Sequence, residues 1–267
     1  MENVPIKYVH GERKVIGLEF SRPTGGVLAD TRRQAEEGDV YSALMGFIAG
    51  SVAEVEFDDG ASVTDRSGVK AAIRSMPYAV ANWAAVRIFL NMGRDGEIDG
   101  VWVCPRCKHQ FYSDPEFPDM IEDLEVSECE GEAIVDAELR FPVEVKNAKT
   151  GEVVVSVLSL RIGFPTLDNC VRALRSVGPA DEGRLQFAIL ADALISVDGE
   201  VVDQKWRMQW GRMVFERMDG EDLAGIMAEL SRYGMQETLP KTCPKCAKRW
   251  EAAVDVSGFF ASGLRAN

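Results

Sequence analysis

The pattern of apolar and polar positions in the first residues of the chain predicts a strand followed by a helix. Residues Lys14–Phe20 form a short run in which most side chains are apolar, as expected of a buried strand. Pro23 and Thr24 close this run, because proline cannot continue a central strand. A helix is therefore predicted to begin at Gly25 or Gly26.

Two further stretches of the first half carry apolar residues at helical spacing. Residues Tyr41–Val52 and Val80–Met92 each place apolar side chains three and four positions apart, which predicts two helices facing a core. Gly93 ends the second helix. The segment Val101–Val103 then predicts a short strand.

The pattern restarts after the middle of the chain. A β-hairpin is predicted here, because apolar and polar residues alternate over Phe141–Val145, a turn follows at Gly151, and an apolar run covers Val153–Ile162. Thr166 is placed to cap the next helix, and Leu185–Ile195 predicts another. Two last helices are predicted from residues at helical spacing: Trp206, Trp210, Met213 and Val214, then Leu223, Ile226, Met227 and Leu230.

The two halves of the chain follow a common order of predicted elements. The Pro-Thr pair recurs after 142 residues, the glycine that ends the last helix after 141, and a Cys-Pro-x-Cys motif after 139. Few side chains are identical, so chance recurrence is the alternative to an internal duplication. We predict an α+β fold in which residues 12–112 superpose on residues 152–251 and the two cysteine motifs are adjacent.

An acidic segment separates the halves. Between Asp114 and Glu138 there are eleven Asp and Glu residues and no Lys or Arg. This composition predicts a solvated linker at 113–139, between an N-terminal half at 1–112 and a C-terminal half at 140–267. The alternative is an acidic arm that mimics a binding partner.

Overall composition narrows the class of protein. Apolar residues make up 46% and charged residues 27% of the 267 positions, which is ordinary for a globular chain. No apolar run is long enough for a membrane span, and the N-terminus lacks the features of a secretory signal. We therefore expect a reducing, cytoplasmic location and no membrane partner. The net charge of −13 makes nucleic-acid binding unexpected.

The two Cys-Pro-x-Cys motifs carry the chemistry. A two-residue gap between two cysteines lets their thiolates bind one tetrahedral metal ion. This gap separates Cys104 from Cys107 in the first motif and Cys243 from Cys246 in the second. Four such ligands predict a closed structural Zn²⁺ site with no position for water. Because 136 residues separate the motifs, the site would join the two halves.

Other interpretations of the cysteines remain. A redox dithiol normally opens a helix in a βαβ unit, whereas both pairs here follow extended segments. Free thiols, left by a zinc site that has decayed, are the other alternative. Cys129 and Cys170 lack a near partner and are predicted to be inert, and His109 is predicted to lie outside the ligand set.

The cysteine motifs are basic in an otherwise acidic chain. Zn²⁺ bound by four thiolates has a net charge of −2, which nearby cations can neutralise; the alternative is an anion-binding patch. The cations are Arg106, Lys108, Lys241, Lys245, Lys248 and Arg249. No known catalytic motif occurs, and with only two histidines in the chain we predict no enzymatic activity.

The C-terminal residues form a separate candidate site. Phe259, Phe260 and Leu264 bring large apolar side chains close to the end of the chain. They either pack back on the helices that contain Trp206 and Trp210, or anchor the chain in a groove of a partner. Deletion of residues 258–267 would separate these alternatives.

Taken in order, these landmarks resemble the baseplate hub assembly chaperones of contractile-tailed bacteriophages. The resemblance covers most of the chain, and its individual motifs are short. The matching segments are Leu18–Gly25, Val86–Gly93 before the first cysteine motif, Leu160–Thr166, Ile195–Gly199, and Cys243–Cys246 followed by Val254–Phe260. The Pro-Thr-Gly stretch also resembles smaller phage tail assembly chaperones.

The resemblance implies a non-enzymatic assembly factor that binds phage tail or baseplate hub proteins. Its location would be the cytoplasm of the infected host, or the baseplate of the virion if it remains there. A second function drawn from the residues is a zinc-stabilised regulatory or nucleic-acid-associated protein that uses the basic surface of the cysteine motifs. The net charge of −13 argues against the second.

Overall fold

A computed structural model describes residues 1–92, 101–112, 126–129, 132–146, 150–178, 182–235 and 238–253. Within these ranges the fold is α+β, as predicted, with antiparallel sheets and eight helices. No helix in the described ranges combines the length and the apolar character needed to cross a membrane.

The N-terminal half begins with a four-stranded antiparallel sheet that four helices accompany. Its strands lie in the order β1-β2-β3-β4. The elements in chain order are β1 (Glu2–His10), β2 (Arg13–Phe20), α1 (Gly25–Glu36), α2 (Val40–Ser51), β3 (Val52–Phe57), β4 (Ser62–Val63), α3 (Arg66–Arg74) and α4 (Tyr78–Asn91).

Short strands follow, and two of them carry the first cysteine motif. The strands β5 (Val101–Val103) and β6 (Gln110–Tyr112) form a hairpin around it. The strand β7 (Val126–Ser127) belongs to the connection between the halves.

The C-terminal half has its elements in a similar order, with an additional strand, β12, before its cysteine hairpin. Its sheet lies in the order β8-β9-β10-β11 and is followed by a second cysteine hairpin, β13–β14. The elements are β8 (Ile134–Lys146), β9 (Val153–Gly163), α5 (Leu167–Val177), α6 (Glu182–Ala193), β10 (Leu194–Val197), β11 (Glu200–Val201), α7 (Gln204–Phe215), α8 (Gly220–Leu230), β12 (Gly234–Met235), β13 (Thr238–Thr242) and β14 (Arg249–Ala253).

The first strand of each half also has the same irregularity. In β1, the four residues 4–7 lie opposite the single residue Ile16, and in β8 the four residues 139–142 lie opposite Leu158. Each bulge contains a proline, Pro5 or Pro142, where the missing N–H interrupts no ladder hydrogen bond. The internal duplication and the superposition of the two halves stay predictions.

Two aspartates bind the irregular part of the β8–β9 hairpin. The buried carboxylate of Asp222, in the first turn of α8, accepts hydrogen bonds from the backbone N–H groups of Arg140 at 3.1 Å and Phe141 at 3.4 Å. Asp198 accepts from the N–H groups of Leu158 at 2.9 Å and Ser159 at 2.7 Å. These carboxylates satisfy donors that the bulge removes from the ladder.

A threonine side chain caps the first helix of each half. Thr24 caps α1 by accepting from the N–H of Val27, and Thr166 caps α5 by accepting from the N–H of Asn169. The Asn169 side chain accepts the backbone N–H of Thr166 in return, which completes a capping box. The predicted cap at Thr166 is therefore confirmed.

The beginning of α5 joins the two halves. Phe164 and Leu167 are buried in the core of the N-terminal half rather than in their own half. The N–H of Tyr78 donates to the carbonyl of Pro165 at 2.8 Å, and Arg74 forms a 2.7 Å ion pair with Asp168. Apolar packing and backbone hydrogen bonds thus connect the halves at the beginning of α5.

Three residues at two predicted helix ends lie in strands instead. Val52, Leu194 and Ile195 were expected in helices but lie in β3 and β10. All three are β-branched or apolar residues that fit a strand as well as a helix end, and pairing with β2 and β9 decides between the two. The backbone turns directly from helix to strand at both places.

The strand β8 begins inside the segment predicted as an acidic linker. Val135, Ala137 and Leu139 face the core, whereas Asp136 and Glu138 are exposed. The acidic residues of this part therefore form the outer face of a strand. Gly93, the residues 113–125 and the tail with Phe259, Phe260 and Leu264 lie outside the described residues.

Candidate metal centre

The two cysteine motifs form closely similar hairpin loops. In the first, the N–H of Cys104 donates to the carbonyl of His109 at 3.0 Å, and the N–H of Lys108 donates to the carbonyl of Cys104 at 3.0 Å. In the second, the N–H of Cys243 donates to the carbonyl of Lys248 at 2.9 Å, and the N–H of Ala247 donates to the carbonyl of Cys243 at 2.9 Å. The backbone therefore positions both cysteines of each pair.

The residue after the second cysteine of each motif adopts a left-handed conformation. Lys108 has φ of 57° and Ala247 has φ of 54°. Residues with a β-carbon rarely occupy this region, and glycine does so without strain. The turn is needed because it returns the chain to the hairpin while both sulfur atoms stay on one side.

Ala247→Gly is expected to increase the free energy of unfolding by about 1 kcal/mol, because glycine removes the steric cost of the left-handed turn. Urea unfolding at fixed zinc concentration measures the change. Ala224→Gly is the matched control: Ala224 is exposed within α8, so the same substitution should lower stability there by about 1 kcal/mol. A loss of stability in both variants would contradict the role assigned to the turn.

Folding brings the four predicted cysteines into one cluster. Their Sγ atoms all lie within 4.8 Å of one another, with 3.6 Å between Cys104 and Cys246 and 3.7 Å between Cys107 and Cys243. Cys104 and Cys243 are buried, and Cys107 and Cys246 are half-buried. The prediction that the motifs are adjacent is confirmed, and the cluster is compatible with a metal site.

The thiols of the cluster differ in acidity. Desolvation raises the pKa of Cys104, but the N–H groups of Cys107 and Arg106 and the neighbouring thiols favour its thiolate more, so its pKa is about 6. For Cys246, the N–H of Lys248 lowers the pKa, while desolvation and hydrogen bonds with the other thiols raise it to about 11. The cluster thus holds a thiolate near neutral pH, and a metal ion would displace the remaining protons.

Contacts between the two motifs are reciprocal. Cys104 contacts Cys246 and Cys107 contacts Cys243, and each cysteine of the second motif lies 139 positions after its counterpart. Outside the sulfur atoms, the Lys241 ammonium lies 4.9 Å from the centre of the Trp102 ring, and the rings of Phe111 and Trp250 are 6.0 Å apart.

These outer pairs are also separated by 139 positions, since Trp102 corresponds to Lys241 and Phe111 to Trp250. Reciprocal contacts between equivalent positions are the pattern of a two-fold interface. Lys241 was expected among the cations that neutralise the centre, whereas Trp102, Phe111 and Trp250 were not predicted as part of it. Their spacing equals that of the cysteines, so the same offset could have identified them.

The remaining candidate ligands lie apart from the cluster. His109 is half-buried and its ring stacks on Phe111 at 6.2 Å, so it supports the hairpin rather than joining the four sulfurs. Cys129 and Cys170 are both buried in other parts of the fold. Burial, with a contribution from Asp192, raises the pKa of Cys170 to about 12. This shift favours the protonated thiol of Cys170, and its inertness stays a prediction.

No protein-family model matches the chain, and neither a curated protein nor a solved structure is similar to it. An interpretation of its function therefore depends on the residues of the chain itself. The best-defined feature is the cluster of four cysteines.

Proposed function

We propose that Cys104, Cys107, Cys243 and Cys246 bind one structural zinc ion. A tetrahedral Zn²⁺ with Zn–S bonds of about 2.3 Å has sulfur atoms about 3.8 Å apart. The Sγ separations of 3.6 and 3.7 Å are close to this edge length. Four thiolates are the donor set that structural zinc prefers, and they leave no coordination position for a substrate.

The proposed zinc ion would act as a cross-link between the halves. Its ligands Cys107 and Cys243 are 136 residues apart. The hairpins that hold them consist of short strands. Metal binding would contribute to the free energy of folding of this part of the molecule. The centre would therefore stabilise the fold rather than perform chemistry.

For the whole protein, the proposed function is a non-enzymatic factor in the assembly of a phage tail or baseplate. The main support is the ordered set of motifs that resembles the baseplate hub assembly chaperones. Two of these motifs, Leu18–Gly25 and Leu160–Thr166, occupy corresponding positions, from the second strand of each half into the cap of the next helix. On this proposal the protein acts in the infected cell, either transiently or as a baseplate component.

Exposed apolar side chains give additional support to a role in protein binding. Phe141, Val154 and Leu158 on the β8–β9 hairpin are 59%, 63% and 52% exposed. Contiguous exposed apolar patches are characteristic of surfaces that bind other proteins, and these three residues are candidates for such a patch. They favour an assembly factor over a protein that acts alone.

A zinc-stabilised regulatory or nucleic-acid-associated protein is the second candidate. One observation favours it: the loops of both cysteine motifs expose basic side chains. The net charge of −13 opposes it, because a phosphate backbone extending past these loops would meet an acidic surface.

Affinity purification tests the choice between the two candidates. The full chain, tagged at its N-terminus, is recovered from bacteria infected with a contractile-tailed phage whose genome encodes it. We expect baseplate hub or tail proteins in stoichiometric amount, resistant to nuclease. Recovery of nucleic acid with no tail protein would contradict the assembly function and support the second candidate.

A further inference from the structure

The strands and loops around the four cysteines carry an excess of positive charge. We use the term cysteine module for residues 101–112 and 238–253, which contain six Lys and Arg residues and one acidic residue, Glu251. The module therefore has a formal charge of +5. Since the whole chain has −13, the remainder carries the difference, −18.

Five of the six cations are exposed to solvent. They are Arg106, Lys108, Lys245, Lys248 and Arg249. Within the part of the chain that the structure describes, none of the five forms an ion pair. Ion pairs with carboxylates of the described residues therefore do not neutralise the positive charge of these five side chains.

The charge of a bound zinc ion does not account for all of these cations. Four thiolates and Zn²⁺ together carry −2. The sixth cation, Lys241, is buried beside the centre against Trp102, where it offsets part of that charge. The five exposed cations exceed what the centre requires.

We infer that the basic face of the cysteine module, formed by these five residues, binds an acidic segment of a partner protein. This inference rests on the proposed assembly function and specifies the chemistry of the partner. A short acidic segment would contact the basic face alone. A nucleic acid would extend beyond it and meet the −18 of the remaining chain, so a protein partner is favoured.

Charge reversal on the full chain tests the inference. The test variant carries Lys245→Glu, Lys248→Glu and Arg249→Glu. The control variant carries Lys7→Glu, Arg66→Glu and Lys70→Glu, three exposed positions in the sheet and helix of the N-terminal half. Both variants change the net charge equally. The probes are a fluorescein-labelled peptide rich in Asp and Glu and a labelled single-stranded oligonucleotide of equal charge. Fluorescence anisotropy at low salt measures the binding of each probe.

We expect the wild type and the control variant to bind the peptide, and the test variant to bind it at least about tenfold more weakly. Zinc content and melting temperature should be equal in all three proteins. Equal losses in both variants would overturn the inference, because only net charge would then matter. Stronger binding of the oligonucleotide than of the peptide would also overturn it, as would no peptide binding by the wild type.

The affinity purification distinguishes this inference from the proposed function. If the test variant still recovers tail proteins in full amount, the assembly function stands and the basic face is not where they bind. If the wild type recovers none, the assembly function fails whatever the peptide assay shows. Recovery by the control variant and loss from the test variant would support both.

Discussion

Cys104→Ser is expected to abolish stoichiometric zinc binding and to lower the free energy of unfolding by at least about 4 kcal/mol. The wild type should contain one zinc per chain, because four sulfur atoms within 4.8 Å can enclose a single tetrahedral ion. Serine offers a poor ligand for zinc and leaves three thiols without their shared metal. Metal analysis and urea unfolding measure the two effects, and a chelator should reproduce both in the wild type.

Cys170→Ser is the matched control for this prediction. Cys170 is buried but lies outside the cluster, so the variant should keep one zinc per chain whatever it loses in packing. If Cys104→Ser retained its zinc and its melting temperature, the shared metal site would be wrong. If zinc were absent from the purified wild type but cobalt or iron were present, the site would stand and only the identity of the metal would change.

Gly211→Ala is expected to lower the free energy of unfolding by about 3 kcal/mol. Gly211 lies in α7 where this helix crosses α6, and a β-carbon there would lie 2.3 Å from Cα and 2.4 Å from Cβ of Ala191. Ala191 is fully buried and the nearest atom belongs to its backbone. The two helices would therefore have to move apart and disturb the core of the C-terminal half.

Gly225→Ala makes the same chemical change in another helix and is expected to raise the free energy of unfolding. Gly225 is an exposed residue of α8, and an added β-carbon would meet nothing within 4 Å. Alanine is the better helix former, so stability should increase by up to about 1 kcal/mol. Urea unfolding of the two variants side by side measures both changes. Equal stabilisation of both would show that α6 and α7 do not approach closely at Gly211.

Local patterns predicted most helices of the described ranges but only a minority of the strands. Helical spacing of apolar residues identified α2 and α4, and alternation identified the β8–β9 hairpin, because these periods reflect which side chains face a core. Thr166 capped α5 as predicted because capping depends only on residues within one turn. The strand β10 was missed since Leu194 and Ile195 suit a helix end equally well.

The candidate centre was predictable in its ligands and partly in its surroundings. The two-residue gap within each motif determined that Cys104 could share a metal with Cys107, and Cys243 with Cys246, because that geometry is local. The common spacing of 139 suggested that the pairs correspond. The packing of Trp102 on Lys241 was not predicted, because it depends on how two distant hairpins face each other.

The sequence by itself thus determined most of the helices, the cap at Thr166 and the two thiol pairs. Only the tertiary structure decided that Lys241 packs on Trp102, that α6 and α7 touch at Gly211, and that Asp222 binds the bulge of β8. The physical reason is the range of the interactions. Local spacing and capping involve neighbours along the chain, whereas these three contacts exist only after the whole chain has packed.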